Sequence, residues 1–574
     1  MNNWLKKLST ERWLGVLFIV LVGAIAYHNC LPNEMFWDDD DFIRNNRYIK
    51  DFHYWPLWFS QNLVAGSYLV SNYWRPLLLS IFALEWHWWQ GGVTGWHAVS
   101  VGVHILAATV LYYLFSLLFE SKSDSRLPRL GGGLRGNDKS GINLLALLVA
   151  LIFVAHPVHN EAVVYVNSMG DALASLLVLS SLLCYARFRQ SPKPAYISPS
   201  YYASLLFFPL AVMAKETGFV LAGLLPLMDF LLLQNKKSCL IRVQKTAAAL
   251  WPLLAFAVTY VILRATVLNF ANSFNFYNQA SNAFTAHPSI RIMTFFKAMT
   301  QYTGFLFFPY QLRVERQLPW AQSLWEWDVI VGGLIVAALL AAAFKYGKTK
   351  PWVAFGVGWF FIAIAPASNI IVPINAVIYE HFLYLPMIGI TLIFVHSLLD
   401  WAEKRRTTAT LCKIMGVVLM IFCAVNIHRN LDWRTSIGFY EQLVTYRPDD
   451  YRVINNLGME YANNGIRDKA EATYLKAIAL DPQNPVAYHN IAGTYRDTGR
   501  IALALKNFQK AIALNPGFIF SYRSLADLYW KLGQYAQCRE NLLQVLRIDP
   551  NDASIRQALR IVEEKLTEKS SPGA

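Results

Sequence analysis

The segment best suited to chemistry is an acidic run directly after the first long apolar stretch of the chain. Four successive carboxylates, Asp38 to Asp41, follow Phe36 and Trp37. Apolar surroundings and like charge raise the pKa of a carboxyl group. Asp38 or Asp39 could therefore take the proton of an attacking hydroxyl while its neighbours hold a cation. The alternative is an exposed acidic turn that is only solvated.

A second polar group combines two histidines with two carboxylates. His156 and His159 are three residues apart, and Glu161 and Asp171 follow them. Histidines at this spacing share one face if they are helical, and with a nearby carboxylate they could bind a divalent metal. Pro157 stands between them and weakens that geometry. Hydrogen-bonded groups lining a cavity are the simpler interpretation, and no metal ligand set is fixed.

Further ionisable residues stand at the ends of apolar stretches, where we expect the external face of a membrane. They are Lys215, Glu216, Arg264, Glu380 and His381. Charge at such depth is costly and is generally paired or functional. We therefore expect these side chains to line one common cavity. The alternative is an ion-pair network that only holds helices together.

The composition indicates what must position these residues. Of 574 residues, 55% are apolar and 15% are charged, well below the charged share of about a quarter in soluble proteins. The net charge of +14 is carried by short basic clusters between apolar runs, which indicates membrane topology and no nucleic-acid partner. The six cysteines are scattered, so neither a zinc site nor a disulfide framework is expected.

The apolar runs predict an all-α fold with about eleven membrane crossings. The predicted crossings are 14–31, 97–119, 142–158, 171–186, 201–214, 218–233, 247–268, 328–344, 352–370, 381–399 and 412–428. The segments 75–90 and 291–310 are predicted to be interfacial or re-entrant. Basic clusters such as Lys122 to Lys139 mark the cytoplasmic side. Lys6, Lys7 and Arg12 precede the first crossing, which predicts a cytoplasmic N-terminus and an external loop at 32–96. An odd number of crossings then places the C-terminal region opposite the cytoplasm.

The C-terminal region carries an internal repeat. Prolines recur every 34 residues, which is the period of a tetratricopeptide repeat, and glycines and tyrosines keep the same register. The predicted domains are a transmembrane domain at 1–428, a juxtamembrane helix at 429–448, three repeats at 449–550, and a capping helix with a disordered tail at 551–574. Stacked repeats form an α-solenoid that more often binds peptides than catalyses a reaction.

Taken together, these segments resemble the transmembrane and tetratricopeptide repeat-containing O-mannosyltransferase family and its bacterial relatives, within the GT-C glycosyltransferases. The resemblance covers nearly the whole chain. The matching pieces are Trp37-Asp38-Asp39, Tyr73 to Pro76, His156 to His159 with Glu161 to Val163, Lys215-Glu216, Glu380 with Leu383 to Pro386, and Asp432-Trp433-Arg434. The resemblance implies that Asp38 or Asp39 is the catalytic base beside a cavity for a polyprenyl-phosphate sugar, lined by Glu161 and Lys215.

The chain departs from the family pattern at two positions. Met169 and His381 stand where family members often carry arginine. Arg75, Lys215 and Arg264 would then have to bind the phosphate, as bidentate or point-charge donors. One interpretation of these two departures is that the activity of the family is reduced or lost in this chain.

These observations leave three functions open. The first is a membrane glycosyltransferase that moves a hexose, such as mannose, from a polyprenyl-phosphate donor to a hydroxyl group of a protein, with the repeats positioning the acceptor. The second is a non-catalytic membrane scaffold, and the third is a transferase acting on a lipid or cell-surface glycan. The expected partners are donor, protein or peptide, and membrane lipid, with a divalent metal as the one candidate cofactor. We expect a bacterial inner membrane with periplasmic repeats, or alternatively an endoplasmic reticulum membrane with lumenal repeats.

Overall fold

The computed structural model describes residues 11–120, 139–191, 194–233, 239–270, 283–310, 312–374, 376–550 and 552–570. These residues form helices and loops and contain no β-strand, which confirms the predicted all-α class. The chain divides into two compact units, Met1–Arg434 and Thr435–Ala574. We call them the membrane unit and the repeat unit. The predicted disordered tail and most of the basic cluster after residue 120 lie outside the described residues.

The membrane unit is built from apolar helices of unequal length. Its described α-helices are α1 Arg12–Tyr27, α2 Trp55–Ser60, α3 Pro76–Trp89, α4 Val93–Glu120, α5 Lys139–Ala155, α6 Asn160–Val164, α7 Met169–Gln190, α8 Pro199–Ala214, α9 Leu221–Met228, α10 Cys239–Ala265, α11 Ala283–Ala286, α12 Pro288–Phe307, α13 Trp327–Tyr346, α14 Pro351–Ile364, α15 Met387–Lys404 and α16 Thr408–Arg429.

All eleven segments predicted to cross the membrane contain a helix. Among the described residues, seven helices are long and apolar enough to span a bilayer, and a bent pair makes an eighth if it is one span. That pair, Asn143–Ala155 and Pro157–Val164, meets at 49°. Pro199–Ala214 and Pro351–Ala367 are apolar but shorter. The chain is therefore a multi-pass membrane protein, and the total of eleven crossings stays a prediction.

The segment between α1 and α4 packs around a core that it shares with Trp96 of α4 and with Val166 and Met169. Ile43, Leu63, Leu78, Phe82 and Trp96 are fully buried together in that core. Burial of large apolar side chains is the main stabilising contribution in such a segment. The backbone that carries the acidic run is consequently held on both sides by packed residues. The helix predicted at 75–90 is α3, and the one predicted at 291–310 is α12.

The repeat unit is a succession of short paired helices. They are α17 Ser436–Tyr446, α18 Tyr451–Asn463, α19 Arg467–Leu480, α20 Pro485–Asp497, α21 Ile501–Leu514, α22 Ile519–Lys531, α23 Tyr535–Ile548 and α24 Ala553–Ser570. Gly499 lies in the turn between α20 and α21 with φ +74°, a conformation that favours glycine. Gly465 and Gly533 repeat this turn, with φ +76° and +68°.

Candidate functional site

The acidic run is folded into a strained and mostly enclosed turn. Trp37, directly before it, has φ +63°, which is rare for a bulky residue and is typical of functional sites. Asp39 is only 2% exposed, and its Oδ1 accepts a hydrogen bond of 2.9 Å from the backbone N–H of Asn167. Asp40 instead forms an ion pair of 3.0 Å with Arg44, and both side chains are largely exposed. The four carboxylates therefore have different environments.

Asp39 has the environment expected of a proton acceptor. Burial raises its pKa well above the usual range, the hydrogen bond from Asn167 opposes that rise, and the charges of Asp38 and Asp40 add to it. A carboxylate in these surroundings binds a proton more readily than one in water. That Asp39 acts as a general base stays a prediction.

Three stacked aromatic rings support this turn. The ring of Trp37 lies 5.2 Å from that of Tyr165, and the ring of Tyr165 lies 5.3 Å from that of Trp433, with interplanar angles of 21° and 13°. The Tyr165 hydroxyl lies beside the side chains of Asp38 and Asn167. Tyr165 and Trp433 are buried. The stack therefore links the acidic run to α6 and to the end of the last membrane helix.

A first charge cluster joins residues from distant parts of the sequence. Lys215 Nζ lies 2.6 Å from Asp171 Oδ2. Arg75 Nε and Nη2 lie 3.0 and 2.9 Å from Oε2 of Glu216. Arg264 donates to the carbonyl of Asn72 at 2.6 Å. These three cations, which were predicted to bind phosphate, all have partners within the chain. Phosphate binding by them stays a prediction.

The first cluster is close to the acidic run. The charges of Arg75, Glu216 and Asp38 all act on the Tyr73 hydroxyl, whose pKa is raised mainly by burial. The guanidinium of Arg75 also lies over the Tyr73 ring, 4.4 Å from its centroid. Tyr73 therefore lies between the acidic run and the first cluster.

A second charge cluster forms around Glu380. Its Oε2 lies 2.8 Å from Nη2 of Arg429, and both side chains are buried. The neighbouring His381 places its Nδ1 3.0 Å from Oε1 of Glu161. Arg313 donates its backbone N–H to the Glu380 carboxylate, and the charge of Arg316 acts on the same group. Burial, together with Glu161, raises the pKa of Glu380 to about 7 against the opposing effect of Arg429.

The two histidines make contacts typical of packing. His156 Nε2 lies 3.0 Å from the carbonyl oxygen of Leu306, and its Nδ1 accepts from the N–H of Val158 at 3.2 Å. His159 lies between the carbonyl oxygens of Phe153 and Tyr384, at 2.7 and 3.2 Å. In the part of the chain that the structure describes, no group of three or more His, Cys, Asp or Glu side chains is placed to hold a metal.

The sequence singled out neither the arginines of the second cluster nor the residues that support the acidic turn. These are Arg313, Arg316, Arg429, Tyr165 and Asn167. One signal was available for the last membrane helix, because Asp432-Trp433-Arg434 is among the pieces that carry the family resemblance. Arg429 lies about one helical turn before Trp433. The remaining residues come from loops whose arrangement depends on distant contacts.

The repeat unit carries a polar cavity of about 180 Å³ among helices α18 to α22. Its lining includes amide, guanidinium and carboxylate groups: Asn463, Arg467, Asn490, Arg496 and Asp497. Asn490 donates to the side-chain oxygen of Asn455 at 3.0 Å. Polar groups of this kind can bond to the backbone of an extended peptide.

Comparison with known proteins identifies the repeats first. Tetratricopeptide repeat families match residues 451–484, 473–506 and 495–560, which confirms the repeats predicted from the 34-residue period. Among solved structures, the first TPR of Spaghetti (RPAP3) bound to the HSP90 peptide SRMEEVD is 26% identical. It covers 20% of this chain and 95% of that chain with a TM-score of 0.20.

About four fifths of the chain is similar to curated proteins of animals. "Protein O-mannosyl-transferase TMTC4" of Homo sapiens is 24% identical over 80% of this chain and 65% of its own length. "Protein O-mannosyl-transferase F38B6.6" of Caenorhabditis elegans is 22% identical over 82% and 63%, and "Protein O-mannosyl-transferase TMTC3" of Mus musculus is 21% identical over 84% and 53%. The chain thus spans between about half and two thirds of the length of these relatives. Its homologues are the protein O-mannosyl-transferases of the transmembrane and tetratricopeptide repeat-containing family.

Proposed function

We propose that the chain is a membrane glycosyltransferase that moves a hexose, such as mannose, from a polyprenyl-phosphate donor to a serine or threonine hydroxyl of a protein. The observation that carries the proposal is the buried Asp39 carboxylate, hydrogen-bonded to Asn167 and supported by the aromatic stack at Trp37. The names of the relatives favour a protein as acceptor and mannose as the sugar.

The reaction needs one group to accept a proton. Asp39 takes the proton of the acceptor hydroxyl while that oxygen attacks the anomeric carbon of the donor sugar. A positioned base of this type accelerates a reaction by about 10²–10⁴-fold. The raised pKa of Asp39 strengthens it as a base, because a weaker acid holds the transferred proton better.

The bond between the anomeric carbon and the phosphate oxygen breaks as the new bond forms. The lipid phosphate leaves with the bonding electrons, and a single displacement inverts the anomeric configuration. Cationic groups stabilise the negative charge that develops on the phosphate. The two charge clusters contain such groups, and the first of them lies close to the acidic run.

The repeats are proposed to hold the acceptor protein. The polar cavity at Asn490 and Arg496 offers hydrogen-bond donors to a peptide backbone, and repeat stacks commonly bind peptides. We place this step on the non-cytoplasmic face, in a bacterial inner membrane with the repeats in the periplasm. The alternative is an endoplasmic reticulum membrane with lumenal repeats, because positively charged loops mark the cytoplasmic side of that membrane too.

Label transfer from a purified donor tests the proposal. Wild type and the double variant Asp38→Asn/Asp39→Asn are incubated with radiolabelled polyprenyl-phosphate hexoses and membrane extract. Transferred label is then separated into protein, lipid and glycan fractions. Asp51→Asn is the matched control, since it is the same substitution in the same folded segment, on an exposed side chain that contacts the nearby His53.

Label in protein from wild type and Asp51→Asn, with at least a ~10²-fold loss in the double variant, supports the proposal. Label in lipid or glycan would replace the protein acceptor with the third function named from the sequence. If a folded wild type transfers nothing from any donor, the chain is better described as a scaffold that recruits partners through its repeats. His381 and Met169, in place of family arginines, favour that second function.

A further inference from the structure

Two contacts reach the acidic run from a single turn of the membrane unit. This turn directly follows α6, and in it the carbonyl of Tyr165 accepts the N–H of Ser168 at 3.0 Å. The Tyr165 ring stacks on Trp37, directly before the acidic run. Two residues later, the backbone N–H of Asn167 donates to Asp39 at 2.9 Å. A ring contact and a hydrogen bond to the proposed base therefore come from the same short piece of backbone.

The Tyr165 ring is itself held by a residue that follows α16. It is buried and stacks on Trp433, with ring centroids 5.3 Å apart and an interplanar angle of 13°. Trp433 also stacks on Phe36, with centroids 6.2 Å apart, and the N–H of Glu34 donates to the carbonyl of Arg434 at 3.1 Å. The residues that lead into the acidic run are therefore fixed to the same aromatic group as the Tyr165 ring.

The Asn167 hydrogen bond affects the protonation of Asp39. Burial raises the pKa of Asp39, and this hydrogen bond opposes the rise, because it favours the charged form of the carboxyl group. The other charged and titratable groups beside Asp39 include Asp38, Asp40, Arg44 and, from the turn, Tyr165. Since the donor is a backbone N–H, the hydrogen bond depends on whatever holds the turn in place.

We propose that Tyr165 is a positioning residue for Asp39, whose stacked ring holds the turn so that the Asn167 N–H reaches the Asp39 carboxylate. This role rests on the proposed function and deepens it, because it sets the protonation and the placement of the proposed base. Val166, the next residue, is fully buried in the core that also contains Ile43. Packing of Val166 is therefore the competing way to hold the turn, and the ring and the packing can be separated by substitution.

Infrared difference spectroscopy tests this role without relying on turnover. The full-length protein is reconstituted in lipid vesicles, and the carbonyl stretch of protonated Asp39 is identified as the band that Asp39→Asn removes. Titration of this band with pH gives the pKa of Asp39 in wild type and in Tyr165→Leu. Loss of one hydrogen bond to the charged form should raise that pKa by about one unit in Tyr165→Leu. The acidic limb of kcat/KM for transfer should move to higher pH with it, and kcat on the plateau should fall at least ~10-fold, because the base is misplaced.

Three further variants separate positioning from a general loss of packing. Tyr165→Phe keeps the stacked ring, so its Asp39 should titrate as in wild type. Tyr165→Met fills similar space without a ring; it should follow Tyr165→Leu, and it carries the test if Tyr165→Leu does not fold. Tyr185→Leu is the matched control, because it removes a fully buried tyrosine of α7 that lies 14 residues after Asp171, about 21 Å along the helix. It should lower the melting temperature and leave the pKa of Asp39 unchanged.

An equal pKa of Asp39 in wild type, Tyr165→Leu and Tyr165→Met would overturn the role of Tyr165, since the packing of Val166 would then hold the turn alone. A shift in Tyr165→Phe as large as that in Tyr165→Leu would overturn the role of the ring, and so would an equal shift in Tyr185→Leu.

The role of Tyr165 and the proposed function can fail separately. If the pKa of Asp39 rises in Tyr165→Leu although wild type transfers no sugar to any acceptor, Tyr165 positions the carboxyl group and the transferase proposal fails. If wild type transfers sugar and Tyr165→Leu leaves the pKa of Asp39 in place, the transferase proposal stands and the role of Tyr165 fails.

Discussion

The membrane unit and the repeat unit are stabilised by contacts of very different range. In the membrane unit, Arg75 pairs with Glu216 across 141 residues, and the His381 N–H donates to Glu161 across 220. In the repeat unit, Asn490 bonds to Asn455 across only 35 residues, about one repeat. A sequence period can reveal contacts between neighbouring repeats. The pairings that build the candidate site have no period and depend on the whole membrane fold.

Glycine has a different role in each unit. Gly499 of the repeat unit has φ +74° and open space where a Cβ would stand, so its backbone conformation is what matters. Gly356 of the membrane unit has an ordinary φ, but a Cβ there would lie 2.6 Å from the carbonyl oxygen of Gly389. Its lack of a side chain permits α14 and α15 to pack closely, as small residues do in membrane helices. At Gly356 the limiting factor is therefore space, and at Gly499 it is backbone conformation.

The largest expected effect is loss of the proposed base in the membrane unit. Asp39→Asn should lower kcat for label transfer by about 10²–10⁴-fold, because an amide cannot accept the hydroxyl proton. The KM for the acceptor should change little, since acceptor binding is assigned to the repeats. Steady-state kinetics with labelled donor and varied acceptor separate the two parameters.

Asp38→Asn is the internal comparison for that prediction. Asp38 is half-buried, whereas Asp39 is buried and hydrogen-bonded to Asn167, so the Asp38 variant should keep more activity. If Asp38→Asn is the more damaging of the two, the base is Asp38. If the KM rises and kcat stays constant in the Asp39 variant, the acidic run binds substrate and is not the catalytic base.

The sequence predicted local features well and long-range features poorly. Prolines and glycines at a fixed period predicted the repeat unit, because that signal lies within a short stretch of sequence. The four adjacent carboxylates are equally local and single out the acidic run, whose catalytic role stays a prediction. Arg429 was not found, because an arginine at the end of an apolar helix reads as an ordinary boundary residue. Nothing in the residue type of Trp37 indicates its φ of +63°. Trp37 in that conformation stacks on Tyr165, which is 128 residues further along the sequence and directly follows α6.

The second prediction concerns the long-range pair Arg75–Glu216. Arg75→Met should destabilise the membrane unit by about 3 kcal/mol, because it leaves a carboxylate in a mostly buried position without its main partner. Thermal denaturation of the purified protein in detergent measures the change. Arg44→Met is the control, since it removes an exposed ion pair with Asp40 and should cost less than about 1 kcal/mol. Equal losses of stability in Arg75→Met and Arg44→Met would mean that burial does not make the Arg75–Glu216 pair more important for stability than the exposed pair.

The third prediction concerns the repeat unit. Gly499→Ala should cost about 1 kcal/mol, because the substitution places an L side chain at φ +74°. Gly493 lies within α20, where a Cβ would meet nothing within 4 Å. Gly493→Ala should therefore stabilise the unit by about 0.5–1 kcal/mol. Urea denaturation of residues 435–574, followed by circular dichroism, compares the two. If both substitutions changed the free energy of unfolding in the same direction, the role assigned to the backbone conformation of Gly499 would be wrong.

The smallest expected effect is a shift in the pH dependence of transfer. The base must be deprotonated to act, so activity rises with pH through the raised pKa of Asp39. The charge of Asp40 raises that pKa and the charge of Arg44 lowers it. Asp40→Asn should therefore move the acidic limb of kcat/KM to lower pH, and Arg44→Gln should move it to higher pH.

Because Asp40 and Arg44 are both largely exposed, salt should reduce the two shifts together. Profiles of kcat/KM against pH at low and high salt provide the measurement. Opposite shifts that shrink with salt require a titrating group on which the charges of Asp40 and Arg44 act, as they do on Asp39. Shifts in the same direction, or a limb that neither variant moves, would assign the essential ionisation to a group outside the acidic run.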